Sequence, residues 1–197
     1  WDSYPYSSVS VIALHPLYLR LQPLVASVTA QTSKAGPGSD GGGSGGGEAL
    51  SAALRAEVDK AKASLDLKEV DYDATMKVKM SVARRCFEAT RDSFLSSPEF
   101  VAFLEENAEW LKPYAVFRAL AELFGTSQHW RWGALASGNA LETVERLSSP
   151  GSEIYHAVAL HYYVQYHLDV QLTAAANHAA KKGVILKGDL PIGVDKA

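Results

Sequence analysis

The side chains of this chain best suited to chemistry are tyrosines and serines near its start, one aspartate near its end, and the carboxylates and histidines of the helices between. The opening Tyr4-Pro5-Tyr6-Ser7-Ser8 combines aromatic faces, which stack on pyranose rings, with hydroxyls that donate and accept hydrogen bonds. Alone it passes equally for a surface turn. Asp189 directly follows the apolar run Val184-Ile185-Leu186, at the carboxyl end of an expected strand, where barrel and doubly wound folds place ligand-binding groups. It reads either as cleft lining or as a structural hydrogen bond to the neighbouring loop.

The remaining candidates favour plainer readings. Glu105, Glu106, Glu109, Glu142, Glu145 and Glu153 lie in stretches of alternating charge, the pattern of a solvated helix face, and none stands out as an acid/base pair. His156, His161 and His167 are five and six residues apart, which puts them on different faces of a helix, unlike the i, i+4 pair of a zinc helix. His161 and Gln165 share one face and form a buried polar pair that must find partners, so a satisfied structural network is favoured over ligand contact. Trp130 and Trp132 are assigned to packing between helices. Cys86, the sole cysteine, has no metal-spaced neighbours and reads as a small helix residue, compatible with a reducing compartment. No metal and no cofactor are called for.

The elements that must position these groups follow from periodicity. Prolines at Pro5, Pro16 and Pro23 make 1–24 a succession of strand and loop pieces. The GPGSDGGGSGGG stretch at 36–47 has almost nothing to pack and reads as a tether spanning roughly 20 Å. Helical periodicity then runs over about 49–65 and 74–95, the second with Met76, Met80, Ala83, Phe87 and Phe94 on one face. Ser97-Pro98-Glu99 signals a helix start, Pro113 the start of another, and Gly125 its end. After the break at Pro150-Gly151-Ser152, the positions 154, 158, 161, 165, 168, 172, 175 and 179 trace one long helix stopped by Gly183. Val184–Leu186 then reads as a short buried strand, and helix, turn and strand imply half of a βαβ unit and a parallel sheet.

Composition narrows the partners. The 197 residues carry a net charge of −3 with Lys and Arg scattered among acids, so there is no basic stripe for nucleic acid. Apolar runs break well short of the ~20 residues a membrane helix requires. A start at Trp1 and an end at Ala197, just after a strand-like run, look like cuts through a longer protein.

Four stretches together resemble one family. YPYSSVSVIALHPLYLRL is similar to an amylomaltase segment in which a Ser-Pro-Tyr loop leads to an Asn-Pro turn and an aliphatic run. ENAEWLKPYAVFRALAELF resembles the family's Trp-Leu-x-Asp-Tyr-Ala-Leu-Phe helix, and HYYVQYHLDVQL with KKGVILKGDLPIGV resembles its Gln-bearing helix and Gly-Asp-Leu-Pro-Ile strand end. The chain is thereby identified as resembling glycoside hydrolase family 77, the 4-α-glucanotransferases, nearest the plant and algal cytosolic type-two branch. Only the glycine-rich stretch and 127–151 fall outside good matches.

The resemblance implies an α/β fold: a partial (β/α)8 TIM barrel, predominantly helical here. It divides the chain into a barrel strand and loop segment (1–35), a spacer (36–47), a helical insertion subdomain (48–149), and a barrel helix and strand ending at the GDLPI motif (150–197). It implies retaining transglycosylation of α-1,4-glucans and maltose by an Asp nucleophile and a Glu acid/base downstream of this chain, so no catalytic residue lies within it. Tyr6 takes the place of the loop tyrosine that contacts glucan, with Tyr4, Ser7 and Asp189 as further substrate-binding candidates. Tyr4 stands where the family has serine, His15 where it has asparagine, and Lys112-Pro113 where it has an acidic residue before Tyr114; Asp195 is not the family's further substrate-binding aspartate. A cytoplasmic setting is implied by the branch. The alternative is a non-catalytic helical module that binds glucan or a protein partner.

Overall fold

The computed structural model describes residues 9–32, 45–136 and 138–188. Among them the α-helices are α1 (Leu21–Thr32), α2 (Gly45–Leu65), α3 (Tyr72–Leu95), α4 (Pro98–Phe124), α5 (Ala140–Leu147) and α6 (Tyr155–Lys181), with short 3-10 turns and no strand among the described residues. The extended reading of 1–24 therefore ends early. Pro16–Tyr18 is a 3-10 turn and α1 starts at Leu21, because Pro23 falls in a first turn, where its missing N–H has no intrahelical partner to lose. Gly45, Gly46 and Gly47 already belong to α2, and 36–44 lie outside the described residues.

Local signals set most boundaries. The Asp71 carboxylate accepts from the Ala74 N–H at 2.9 Å and starts α3. Ser97 accepts from the Phe100 N–H, with Pro98 as the first residue of α4. Gly125 ends α4 in the left-handed region at φ 65°, open to glycine without the Cβ clash of other residues. At the end of α6, Gly183 at φ 71° donates to the Ala180 carbonyl while Val184 donates to Ala179, a paired C-terminal cap.

Pro113 does not start a helix; it sits inside α4, which runs unbroken for 27 residues. Phe100, Leu111, Ala115, Val116 and Ala119 are buried on both sides of it, and α4 packs along α6. Burying several such side chains, at about 1.5–3 kcal/mol for a large one, outweighs the ~3 kcal/mol that an interior proline costs.

The core centres on the first half of α6. Residues 158–165 are all buried, so this half is enclosed rather than amphipathic, with α4, α3 and the 3-10 turn packed around it. Phe94 of α3 is the aromatic hub, its ring centroid 4.4 Å from Phe100, 4.9 Å from Tyr163 and 5.4 Å from Tyr166. The expected stripe stops at Leu168, since Leu172 is exposed. Val184–Leu186 is likewise neither buried nor paired, and Ile185 is 93% exposed. A parallel strand exists only beside a neighbour, and the described residues offer none. Trp132 packs as expected, stacked on Phe124 and tilted against Phe117, whereas Trp130 is exposed.

Candidate functional site

Tyr4, Tyr6, Ser7 and Asp189 lie outside the described residues. Among the described residues, the segment from Val9 to Pro16 roofs a cleft of about 640 Å³ that α3 and α4 line. Ser10, His15, Met80, Arg84, Tyr114, Arg118, Glu122 and Thr126 are among its lining residues. The cleft thus offers hydroxyl, guanidinium and carboxylate groups over an apolar floor, a surface for hydrogen-bonding a polar ligand. Glu122 is its one carboxylate among the described residues, whereas glycosidic bond exchange uses two.

The roof is held by its backbone. Gln165 of α6, 1% exposed, accepts from the Leu14 N–H at 2.9 Å and donates to the Leu14 carbonyl at 2.8 Å. One turn and a half later Gln171 repeats the arrangement on Arg20, accepting at 2.8 Å and donating at 3.0 Å. Between these points the Lys79 ammonium of α3 donates to the Leu17 carbonyl. His15 Nδ1 accepts from the Leu17 N–H at 3.2 Å and caps the 3-10 turn, the task an asparagine carbonyl performs at an N-cap. That acceptor requires a neutral ring nitrogen, and burial, followed by Arg118 and Lys79, lowers the His15 pKa accordingly.

Beneath the roof Glu122 joins three helices. Its carboxylate lies 3.4 Å from Arg84 of α3, 4.0 Å from Arg118 of its own helix and 3.4 Å from Nε2 of His161 on α6. Arg84 and Glu122 are both partly exposed, so their pair contributes at most about 1 kcal/mol. His161 is a different case. Burial, then the Arg118 and Arg84 guanidiniums, lower its pKa to about 3, and it stays neutral beside the carboxylate. Of the expected polar pair, Gln165 is satisfied by the Leu14 peptide, whereas His161 Nε2 faces the Glu122 carboxylate at 3.4 Å without a hydrogen bond.

The other candidates are dispersed. Glu105, Glu106, Glu109, Glu142, Glu145 and Glu153 are all exposed. His156 lies against Phe87 and Arg91, and His167 stacks on Phe94, so His156, His161 and His167 have three different surroundings. Cys86 is fully buried. Among the described residues no group of three or more His, Cys, Asp and Glu could hold a metal ion, and no helix is long and apolar enough to cross a membrane. Gln171, Arg84, Arg118 and Glu122 escaped the sequence reading. Only Gln171 carried a signal, as the second glutamine of the HYYVQYHLDVQL stretch.

A family model described as 4-alpha-glucanotransferase, glycoside hydrolase family 77, matches residues 1–197. The 4-alpha-glucanotransferase DPE2 of Oryza sativa subsp. japonica is 47% identical over 196 residues, which cover 100% of this chain and 18% of that relative. The 4-alpha-glucanotransferase of Chlamydia muridarum is 24% identical over 98% of this chain and 32% of its own length; that of Synechocystis sp. is 27% identical over 64% of this chain and 25% of its own. The chain thus spans only a minor part of these relatives. No solved structure matches it.

Proposed function

The chain belongs to the 4-alpha-glucanotransferase family, glycoside hydrolase family 77, and on that premise we propose that it is the segment of such a transferase that shapes one wall of the glucan cleft. The observation that carries this reading is the match along the whole chain, together with 47% identity to a relative bearing that name. The parent protein moves glucosyl units from maltose or a short α-1,4-glucan to a larger glucan acceptor, in starch and maltose metabolism in the cytoplasm. Its reaction is retaining: an Asp forms the glycosyl-enzyme, a Glu acts as acid and then base, and an acceptor sugar takes the place of water.

Within this segment Tyr6 and Tyr4 stack on glucan, Ser7 hydrogen-bonds it, and Asp189 lines the cleft. The helices of 48–149 form the inserted subdomain, and the exposed Val184, Ile185 and Leu186 supply a strand to the (β/α)8 barrel of the parent. This chemistry needs no cofactor or metal, because both carboxylates are protein groups. The test is glucose release from maltose with glycogen as acceptor. The parent should release glucose and this chain alone should not; release by the chain alone would sink the reading that the reacting carboxylates lie elsewhere in the parent.

A further inference from the structure

We infer that the exposed aromatic row of Phe124, His129 and Trp130, which runs outward from the rim of the cleft, is a holding surface for the large glucan acceptor. Trp130 is 55% exposed and Phe124 43%. The rings form a connected series: Phe124 stacks on Trp132 at 6.1 Å, and the His129 ring stands edge-on to Trp132 at 6.4 Å and to Trp130 at 5.2 Å. A lone exposed apolar side chain is ordinary on a protein surface, whereas a continuous row marks an interaction site. Packing accounts for Trp132, which is 6% exposed against Phe117 and Phe124. It does not account for Trp130.

The row is held in place from beneath. Trp132 Nε1 donates to the Thr126 carbonyl at 3.0 Å. The Arg131 and Trp132 N–H groups donate to the Gln128 and His129 carbonyls at 2.9 and 3.1 Å, which closes the 3-10 turn His129–Arg131. The buried indole thus anchors the turn that presents the exposed one, so little ordering is left to be done on binding. Thr126 also lines the cleft, and cleft and row therefore meet at one residue. A pyranose presents an apolar face of C–H groups ringed by hydroxyls and carries no charge. The row answers that chemistry with exposed rings to stack on and with the exposed Gln128, His129 and Arg131 to hydrogen-bond around them. The inference rests on the function proposed above, in which a larger glucan accepts the glucosyl unit: an acceptor longer than the cleft must leave it across a surface, and this surface begins at its rim.

The experiment uses the full-length transferase, with the KM for glycogen measured at saturating maltose and the KM for maltose at saturating glycogen. Trp130→Ala is expected to raise the KM for glycogen about fivefold while moving the KM for maltose and kcat less than about twofold, because it removes binding that only the long acceptor uses. Trp130→Phe keeps a ring and should fall between it and wild type. Leu141→Ala, at an exposed apolar residue outside the row, should leave both KM values within about twofold of wild type. An unchanged KM for glycogen in Trp130→Ala overturns the inference, and a lowered urea midpoint beside it shows that the row packs against another part of the parent or a second copy. A Trp130→Ala variant that fails to fold overturns it too, since a glucan-holding ring carries no part of the fold. Equal rises in both KM values do the same, because they mark a disturbed cleft. A wild type that transfers no glucosyl units overturns the proposed function itself, an outcome distinct from a working wild type with unmoved variants.

Discussion

Nε2 of His161 stands 3.4 Å from Oε1 of Glu122, yet the imidazole is neutral. A carboxylate at that distance favours the imidazolium, but Arg84 and Arg118 share the same carboxylate and the ring is 3% exposed. Desolvation wins, followed by repulsion from the two guanidiniums, and the pKa falls from 6.5 to about 3. His167, half-buried against Phe94 and Tyr163, is lowered to about 4 by desolvation.

A pH dependence of stability follows with a definite sign. Between about 3 and 6.5 the unfolded chain binds a proton at position 161 that the folded chain refuses, so stability is fully present above pH 6.5 and is lost as pH falls. The loss from His161 amounts to at most about 5 kcal/mol by pH 3. Urea midpoints taken from pH 7 to pH 4 should decline, and His161→Gln should flatten the decline. A wild-type midpoint that holds steady to pH 4 contradicts a buried neutral His161.

Phe94 joins α3, α4 and α6 through rings on each. Replacing it removes contacts that no single helix can restore, because Phe100 belongs to α4 and Tyr163 and Tyr166 to α6, and they cannot all close on the gap. Phe94→Ala should destabilise by about 3–5 kcal/mol in denaturant titration. A cost under about 1 kcal/mol would mean that the hub is loosely packed.

Pro113 is exposed in the middle of α4, where it withholds an N–H from the Glu109 carbonyl. Pro113→Ala should stabilise the fold by about 1–3 kcal/mol, read as a higher urea midpoint with an unchanged slope. A lower midpoint would show that α4 depends on a proline-imposed bend to follow α6.

What the sequence made legible was what neighbouring residues decide. Ser97-Pro98, Gly125 and Gly183 marked helix ends correctly because a cap is a contact within a few residues. Pro113 misled for the same reason: its local preference was readable, while the burial of Leu111 and Ala115 that overrides it depends on α6, about fifty residues away. The full enclosure of 158–165 was hidden in the same way, since apolar spacing says which face is buried first and not how many helices surround it. Gln165 was legible as a buried polar group in need of a partner, but its partner is a peptide 151 residues earlier, and a backbone group carries no mark in sequence. The apolar run Val184-Ile185-Leu186 read as a short buried strand from its composition alone, but it is exposed and unpaired, because a strand is made by neighbours that local sequence does not specify.

Cys86 gives the most direct probe of whether the helices close as described. Its side chain is fully buried in α3, and burial pushes the thiol pKa up to about 12, against a smaller opposing pull from Arg85. Since the thiolate is the reactive form, the folded chain offers a disulfide reagent neither access nor ionisation. Labelling must wait for α3 to separate from α6, an opening that costs ~4 kcal/mol or more in a stable domain, so the folded rate should be at least about a thousandfold below the rate in strong urea. One thiol per chain should react in urea. Labelling within tenfold of the unfolded rate would mean that α3 is not seated, and would remove Phe94 and Arg84 from the positions on which the hub and the Glu122 junction depend.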